Sequence, residues 1–223
     1  MNGITTPGET DALRRTLAQR GFGRALALQR PPLCPEIALW LIDEEVDLEV
    51  ACGTLRQGDA PPYWAFCWGA GQALARYLLD HPNEVAGRRV VDFGAGSGVA
   101  GIAAALAGAR SVTCVDIDPA ARRAATVNAR ANDLAAGTLG ADGALPAAWD
   151  VLLASDVIYE RPAADGLRAA RDAARTGARV TLVAEPHRAG NPDFATPPLA
   201  RYDVATFPDV DSPTTAASVY RLD

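Results

Sequence analysis

Three closely spaced glycines follow a short apolar run and mark the stretch where this chain could bind a small molecule. The run VVDFGAGSGVAG covers Val90 to Gly101 and places Gly94, Gly96 and Gly98 at every second position. Glycine has no Cβ atom and adopts backbone angles that other residues resist, so a ligand can approach the bare backbone there. The stretch therefore predicts a buried strand, a glycine-rich loop and a helix that together hold a nucleotide-like cofactor.

Acidic residues stand near the predicted ends of four successive strands. They are Asp92, Asp116, Asp142 and Asp156. In doubly wound sheets, ligands lie beyond the carboxyl ends of the strands, where the strand order reverses. Any one of these residues alone is explained equally well as a helix cap. Because a buried charge needs a partner, four acids in such positions together favour a binding site.

The elements that must position these residues alternate regularly along the chain. Strands are expected near 90–93, 111–115, 138–141, 150–154 and 179–184, and helices near 71–79, 99–107, 119–132 and 162–175. Two last strands, 202–207 and 218–222, follow with no obvious helix between them. This order predicts an α/β fold with a doubly wound, mostly parallel, seven-stranded Rossmann-like sheet, helices on both faces and a C-terminal antiparallel hairpin.

Residues 1–60 predict an N-terminal extension that belongs to the same folding unit as the main domain at 61–223. Thr10 and Asp11 are expected to cap a helix that ends near Gly21. The stretch from Ile37 to Leu41 predicts a strand. The acidic stretch 43–49 fits either a second strand or a loop.

Composition narrows the classes of function. The chain has 223 residues, of which 49% are hydrophobic and 22% are charged, as in ordinary globular proteins. A net charge of −6 and a pI of about 5.0 argue against a broad basic face for nucleic acid. The longest uncharged apolar run, 99–109, is too short to cross a bilayer, and no signal sequence opens the chain. We therefore expect a cytoplasmic protein with neither nucleic acid nor a membrane as partner.

Cysteine and histidine usage indicates no metal site. The two histidines lie far apart, and no C-x-x-C pair occurs among Cys34, Cys52, Cys67 and Cys114. These spacings match no zinc site, so we expect reduced, mostly buried thiols and no metal.

Two kinds of cofactor compete for the glycine loop. Gly96, Gly98 and Gly101 satisfy the G-x-G-x-x-G pattern of dinucleotide-binding sites, with an acidic residue about 20 positions further on. In that pattern, however, the first glycine directly follows the strand, and that glycine is Gly94. Counted from there, the third glycine falls on Val99. A dehydrogenase therefore remains open as the less favoured reading.

The alternative pattern, hydrophobic-hydrophobic-Asp-x-Gly-x-Gly-x-Gly, resembles the first motif of class I, seven-β-strand S-adenosylmethionine-dependent methyltransferases. Asp92 would repel a pyrophosphate but can lie near the ammonium and sulfonium groups of that cofactor. The resemblance implies that Asp116 accepts from the ribose hydroxyls, Ile117 packs on the adenine and Asp142 accepts from its amino group. The implied cofactor site comprises Trp68, Asp92, Gly94, Gly96, Gly98, Asp116, Ile117, Asp142 and Ser155.

The residues after the fourth strand identify a branch of these enzymes. Asp156 to Tyr159 resembles the Asp-x-x-Tyr motif of the protein lysine methyltransferases that include the electron-transfer flavoprotein β-subunit enzymes. The resemblance makes Asp156 the acceptor that orients the incoming amine. Tyr159, with Trp68 or Trp64, would wall the channel and stabilise the cationic product by cation–π contact. Three further stretches are similar to that family: PEIALWL, PYWAFCWGAGQALARYLLD and TTAASVY.

One departure concerns the stretch after the fifth strand. Members of the family carry a sequence similar to Asp-Pro-Gly-Arg there, whereas this chain has Glu185, Pro186, His187 and Arg188. His187 is a candidate proton acceptor or a surface residue, and Arg188 is a candidate contact for an acidic substrate surface.

The resemblance thus implies an N-methyltransferase that acts on a lysine of a protein substrate, such as the electron-transfer flavoprotein β-subunit. We expect a monomer rather than an oligomer. S-adenosylhomocysteine would be the product, and no metal would take part. A small-molecule amine methyltransferase of the nicotinamide type and a non-catalytic binding module with the same fold remain alternatives.

Overall fold

The computed structural model describes residues 7–43, 46, 53, 55, 61–135, 137–158, 165, 168, 172, 180–187, 196–208 and 215–222. Within this part of the chain, the helices are α1 (Pro7–Gln19), α2 (Gly69–Asp80), α3 (Val99–Leu106) and α4 (Pro119–Ala131). Two short 3-10 turns cover Tyr63–Ala65 and Pro82–Glu84. None of the described helices is long and apolar enough to span a membrane.

Seven strands form the main sheet. They are β3 (Arg89–Phe93), β4 (Ser111–Val115), β5 (Leu139–Asp142), β6 (Val151–Ser155), β7 (Val180–Pro186), β8 (Ala200–Val204) and β9 (Thr215–Leu222), in the order β5-β4-β3-β6-β7-β9-β8, while β1 (Leu26–Gln29) and β2 (Leu39–Ile42) form a separate antiparallel pair. The first five strands of the main sheet run parallel, and β9 runs antiparallel to both of its neighbours. The predicted doubly wound sheet with a C-terminal hairpin is therefore confirmed.

Alternate residues of the central strands face opposite sides of the sheet. Val90 and Leu153 belong to a core cluster that includes the alanines of α3. Their chain neighbours Val91 and Leu152 belong to a different cluster. Because side chains alternate along a strand, these clusters lie on the two faces. A sheet buried on both faces explains the nearly continuous apolar runs of these strands.

The N-terminal elements pack against α4. Leu13 and Leu17 of α1, together with Ile42 of β2, share a core cluster with Ala124 and Val127 of α4. Arg20, just beyond α1, pairs with Asp118 at 2.8 Å, immediately before α4. Elements within residues 7–43 therefore share one apolar core with α4 of the main domain.

Several local expectations for the N-terminal residues need correction. Thr10 does not cap α1 but lies inside it, since the helix is already formed at Pro7, a residue type that fits the first helical turn. The strand expected at 37–41 forms two positions later, as β2, and its partner β1 was not expected. Most of the acidic stretch 43–49 and most of the helix expected at 162–175 lie outside the described residues.

Candidate cofactor and substrate site

The glycine loop after β3 adopts a conformation that requires glycine at three positions. The φ angles of Gly94, Gly96 and Gly98 are 69°, 53° and 83°, all in the left-handed region. A Cβ atom on Gly94 would lie 2.6 Å from Cγ1 of Val157, and one on Gly98 would lie 2.9 Å from Cβ of Ala125. At Gly96 a Cβ atom would meet nothing within 4 Å. The predicted loop therefore packs closely at both ends and opens outward at its centre.

Asp116 ties this loop to the end of β4. Its Oδ2 accepts a hydrogen bond from the Gly96 amide at 2.9 Å, and its Oδ1 accepts one from the Asp118 amide at 2.9 Å. Arg122 donates to the Asp116 carbonyl at 2.7 Å. Burial raises the pKa of the Asp116 carboxyl above its usual value, and the two amide hydrogen bonds oppose that rise. The carboxylate lies next to the loop, as a ribose-binding residue must.

Ile117 and Asp142 are exposed neighbours of Asp116. The Ile117 side chain is 93% exposed, a large apolar surface in contact with water. Asp142 is also exposed, and its carbonyl accepts from the Asp116 amide at 3.2 Å. Covering the apolar side chain of Ile117 with a flat ring would be favourable. Because both residues are exposed, both remain available for the predicted adenine contacts.

Asp92 lies deeper than its predicted role requires. It is 1% exposed, and its Oδ2 accepts from the amide of Gly101 in α3 at 2.8 Å. Burial raises the pKa of Asp92 to about 7; the Gly101 hydrogen bond opposes this rise, and the charge of Asp116 adds to it. A Cβ atom on Gly101 would lie 2.7 Å from Sγ of Cys114, so glycine allows α3 to approach β3 and β4. These contacts of Asp92 join the strand to the helix, and contact with a cofactor stays a prediction.

Asp156 occupies a strained turn immediately after β6. Its φ angle is 53°, an unusual value for a residue with a side chain. The Asp156 amide donates to the Ala184 carbonyl at 3.0 Å, and the Val157 amide donates to Oε1 of Glu185 at 3.1 Å. Ser155, at the end of β6, is half-buried. The predicted partner Tyr159 lies outside the described residues.

The strand order brings the predicted acids to one edge of the sheet. Asp142, Asp116, Asp92 and Asp156 stand at or near the carboxyl ends of β5, β4, β3 and β6, which are consecutive neighbours. Their environments differ, because Asp92 is buried whereas Asp142 is exposed. The edge therefore combines one buried acid with others that can reach a ligand.

The aromatic segment before α2 lies beside the C-terminal hairpin. Cys67 forms an antiparallel bridge with Phe207, which follows β8. Trp68 is half-buried, and its Nε1 donates to the Tyr63 carbonyl at 3.0 Å. Trp64 is only 1% exposed and packs in the core. Of the two tryptophans considered as channel walls, Trp68 is therefore the one with solvent-exposed surface that a ligand could contact.

Asn128 is a site residue that sequence reasoning missed. Its Nδ2 donates to the carbonyl of Ser97 in the glycine loop at 2.8 Å, and its Oδ1 accepts from the Trp40 amide at 2.7 Å. One helical turn later, Oδ1 of Asn132 accepts from the Ala38 amide at 2.8 Å. The available signal was a pair of asparagines four residues apart on a helix that is otherwise rich in alanine.

The described part of the chain contains no group of His, Cys, Asp and Glu residues suited to a metal ion. His187 lies immediately after β7, where its Nε2 is 2.7 Å from Oγ of the buried Ser218. Arg188 lies outside the described residues. The proton-acceptor role considered for His187 therefore stays a prediction.

Comparisons with known proteins match this architecture. Residues 72–158 match the family model of ribosomal protein L11 methyltransferase (PrmA). Among solved structures, magnesium protoporphyrin IX methyltransferase from Synechocystis, with bound S-adenosylmethionine, has a TM-score of 0.50 and 17% identity, covering 69% of this chain and 78% of its own. That likeness concerns the fold.

Curated relatives are more similar in sequence. The electron transfer flavoprotein beta subunit lysine methyltransferase of Xenopus laevis is 37% identical over 176 residues, which cover 77% of this chain and 70% of the relative. The enzyme of the same name from Danio rerio is 42% identical over 132 residues, or 57% of this chain. That match spans about half of the relative, 51% of its length.

Proposed function

Because the chain belongs to the electron transfer flavoprotein beta subunit lysine methyltransferase family, we propose that it transfers a methyl group from S-adenosylmethionine to a lysine side chain of a protein. One observation in the structure supports this activity most directly. The turn that carries Asp156 contacts the cofactor loop, since Val157 packs where a side chain on Gly94 would lie. The acid proposed to orient the amine and the loop proposed to hold the methyl donor are therefore parts of one packed unit.

The residues at the sheet edge fit the cofactor. The left-handed loop has open space at Gly96, the neighbouring Asp116 carboxylate has acceptor capacity beyond its two amide partners, and Ile117 offers an exposed apolar face. Gly96 and Asp116 would hold the methionine and ribose parts, and Ile117 with Asp142 would hold the adenine. When bound, this cofactor supplies an electrophilic methyl group on a sulfonium.

Asp156 would orient the attacking lysine by accepting a hydrogen bond from its amine. Lysine has a reference pKa of about 10.4, so the neutral form needed for attack is scarce at neutral pH. The site must favour that form and exclude water, and no covalent intermediate with the protein is needed. The ring of Trp68 can stabilise the methylated cation by about 0.5–2 kcal/mol. Positioning and electrostatics are therefore the main contributions of this chain.

We propose the beta subunit of electron transfer flavoprotein as the protein substrate. The names of the curated relatives support this choice over a small amine. The substrate must supply the lysine, because the chain itself contains none. Any label found on a lysine therefore belongs to another protein.

The test uses methyl-labelled S-adenosylmethionine with purified electron transfer flavoprotein, and separately with a cell extract. Asp156→Asn is preferable to Asp156→Ala as the test variant, because asparagine tolerates the left-handed backbone angle that alanine resists. Asp11→Asn makes the same substitution at a partly exposed residue of α1 and is the matched control. We expect label on the beta subunit, at least a hundredfold less turnover in Asp156→Asn and cofactor affinity within threefold of the parent.

The other outcomes separate the alternatives. Label confined to small molecules would indicate an amine methyltransferase. A protein that binds neither S-adenosylmethionine nor S-adenosylhomocysteine would contradict the cofactor assignment. Equal losses of turnover and cofactor affinity in Asp156→Asn would contradict the role of Asp156.

A further inference from the structure

Glu185 is a buried acid that the proposed mechanism does not use. It is the sixth residue of β7 and is 3% exposed. Glutamate is rarely buried to this extent without a partner, because removing a carboxylate from water is costly. Its Oε1 accepts a hydrogen bond from the backbone amide of Val157 at 3.1 Å. The side chain therefore reaches across from β7 to the residue after Asp156.

The turn that Glu185 contacts is under conformational strain. The φ angle of Asp156 is 53°, in the left-handed region, which aspartate adopts more readily than most residues but still uncommonly. Such a conformation persists only when its surroundings enforce it. The Asp156 amide is held by the Ala184 carbonyl at 3.0 Å, which continues the regular pairing of β6 with β7. The next amide has left that pairing, and the Glu185 side chain supplies its acceptor.

Val157 transmits this restraint to the cofactor loop. Its amide is held by Glu185, and its Cγ1 lies 2.6 Å from the position of a Cβ atom on Gly94. Val157 itself is 5% exposed. A change in the length of the side chain at Glu185 would therefore act first on the turn that presents Asp156.

We propose that Glu185 is a positioning residue for methyl transfer. Its carboxylate fixes the turn after β6, and the fixed turn aims Asp156 at the incoming amine. The proposal rests on the proposed function, since it acts through the amine-orienting role of Asp156. Glu185 itself needs no contact with the substrate or the cofactor.

The test compares two substitutions with a surface control. Glu185→Gln keeps an oxygen at the same reach, whereas Glu185→Asp keeps the charge and shortens the reach by one methylene. Glu36→Asp makes the same shortening in an exposed glutamate that pairs with Arg76 at 2.7 Å. We expect kcat within threefold of the parent for Glu185→Gln and Glu36→Asp, and at least tenfold lower for Glu185→Asp. The Kd for S-adenosylhomocysteine should stay within threefold in all three.

A double variant distinguishes positioning from general stabilisation. If Glu185 acts through Asp156, adding Glu185→Asp to Asp156→Asn should lower kcat by less than twofold further. Full multiplication of the two single effects would overturn the proposal. So would an unchanged kcat in Glu185→Asp, or an equal loss in Glu185→Gln.

Hydrogen exchange at the Val157 amide supplies a readout that needs no methyl acceptor. We expect at least tenfold faster exchange in Glu185→Asp and little change in Glu185→Gln. If the parent protein methylates no lysine, the proposed function fails while this measurement still tests the contact. Unchanged exchange in Glu185→Asp would overturn the positioning role by itself.

Discussion

Alanine substitutions at Gly98 and Gly96 should separate two reasons for glycine in the cofactor loop. Both residues have left-handed backbone angles, with φ of 83° and 53°. Alanine should therefore cost about 1–2 kcal/mol at either position through backbone strain. At Gly98 the new Cβ atom would also lie 2.9 Å from Cβ and 3.0 Å from Cα of Ala125, in the middle of α4. Overpacking of this kind adds about 1–3 kcal/mol.

The expected loss in the free energy of unfolding is therefore about 1–2 kcal/mol for Gly96→Ala and about 2–5 kcal/mol for Gly98→Ala. Urea unfolding followed by tryptophan fluorescence, without cofactor, measures both values in a chain that has 4 tryptophans. Gly94→Ala should also cost more than Gly96→Ala, because its Cβ atom would lie 2.6 Å from Cγ1 of the buried Val157.

Gly96→Ala, the variant with the smaller expected loss of stability, should nevertheless have a large effect on cofactor affinity. Its Cβ atom would enter the open space beside the loop, where the cofactor is proposed to pass, so Gly96→Ala should raise the Kd for S-adenosylhomocysteine at least tenfold. Calorimetric titration below the unfolding temperature measures this effect. An equal stability loss at Gly96 and Gly98, or unchanged cofactor affinity in Gly96→Ala, would refute the reasoning.

Two further predictions concern the acids at the sheet edge. Because burial raises the pKa of Asp92 from 3.8 to about 7, the folded state keeps a proton that the unfolded state has released between these values. The free energy of unfolding without cofactor should therefore fall between about pH 4 and pH 7, by up to about 1.4 kcal/mol per pH unit. Asp92→Asn should remove this part of the slope, as measured by urea unfolding at each pH. Parallel curves of stability against pH for the parent and Asp92→Asn would contradict this prediction. Asp116→Ala should raise the Kd for S-adenosylhomocysteine at least about tenfold, since hydrogen bonds to a charged group contribute about 1.5–3 kcal/mol each. Titration with Asp11→Ala as control checks this, and a rise below threefold would exclude the ribose role.

Local patterns were sufficient to predict most of the main sheet. The buried runs and the helices that separate them are long enough for their periodicity to be clear, and β4 covers the expected residues 111–115. The strand β1 was missed because its four residues, LALQ, are few and show no clear alternation of apolar and polar side chains. Its pairing with β2 depends on tertiary packing against α4, which no local window contains.

The site divides in the same way. The glycine spacing and the strand-end acids are local, so Gly94, Gly96, Gly98 and Asp116 could be located in advance. Glu185 could not be linked to Asp156, because its contact joins residues 28 positions apart in sequence. The depth of Asp92 was also hidden, since a strand-end aspartate reads the same whether it faces a ligand or a helix amide.

The side chain of Asn128 makes the order of two distant segments interdependent. It holds the Ser97 carbonyl of the cofactor loop and the Trp40 amide of β2 at the same time. Thermodynamic coupling between two such contacts is reciprocal. We therefore expect a ligand that stiffens the glycine loop also to slow hydrogen exchange at the Trp40 amide. Because the coupling free energy is the same in both directions, we expect fraying of the N-terminal strand pair to lower the affinity for that ligand.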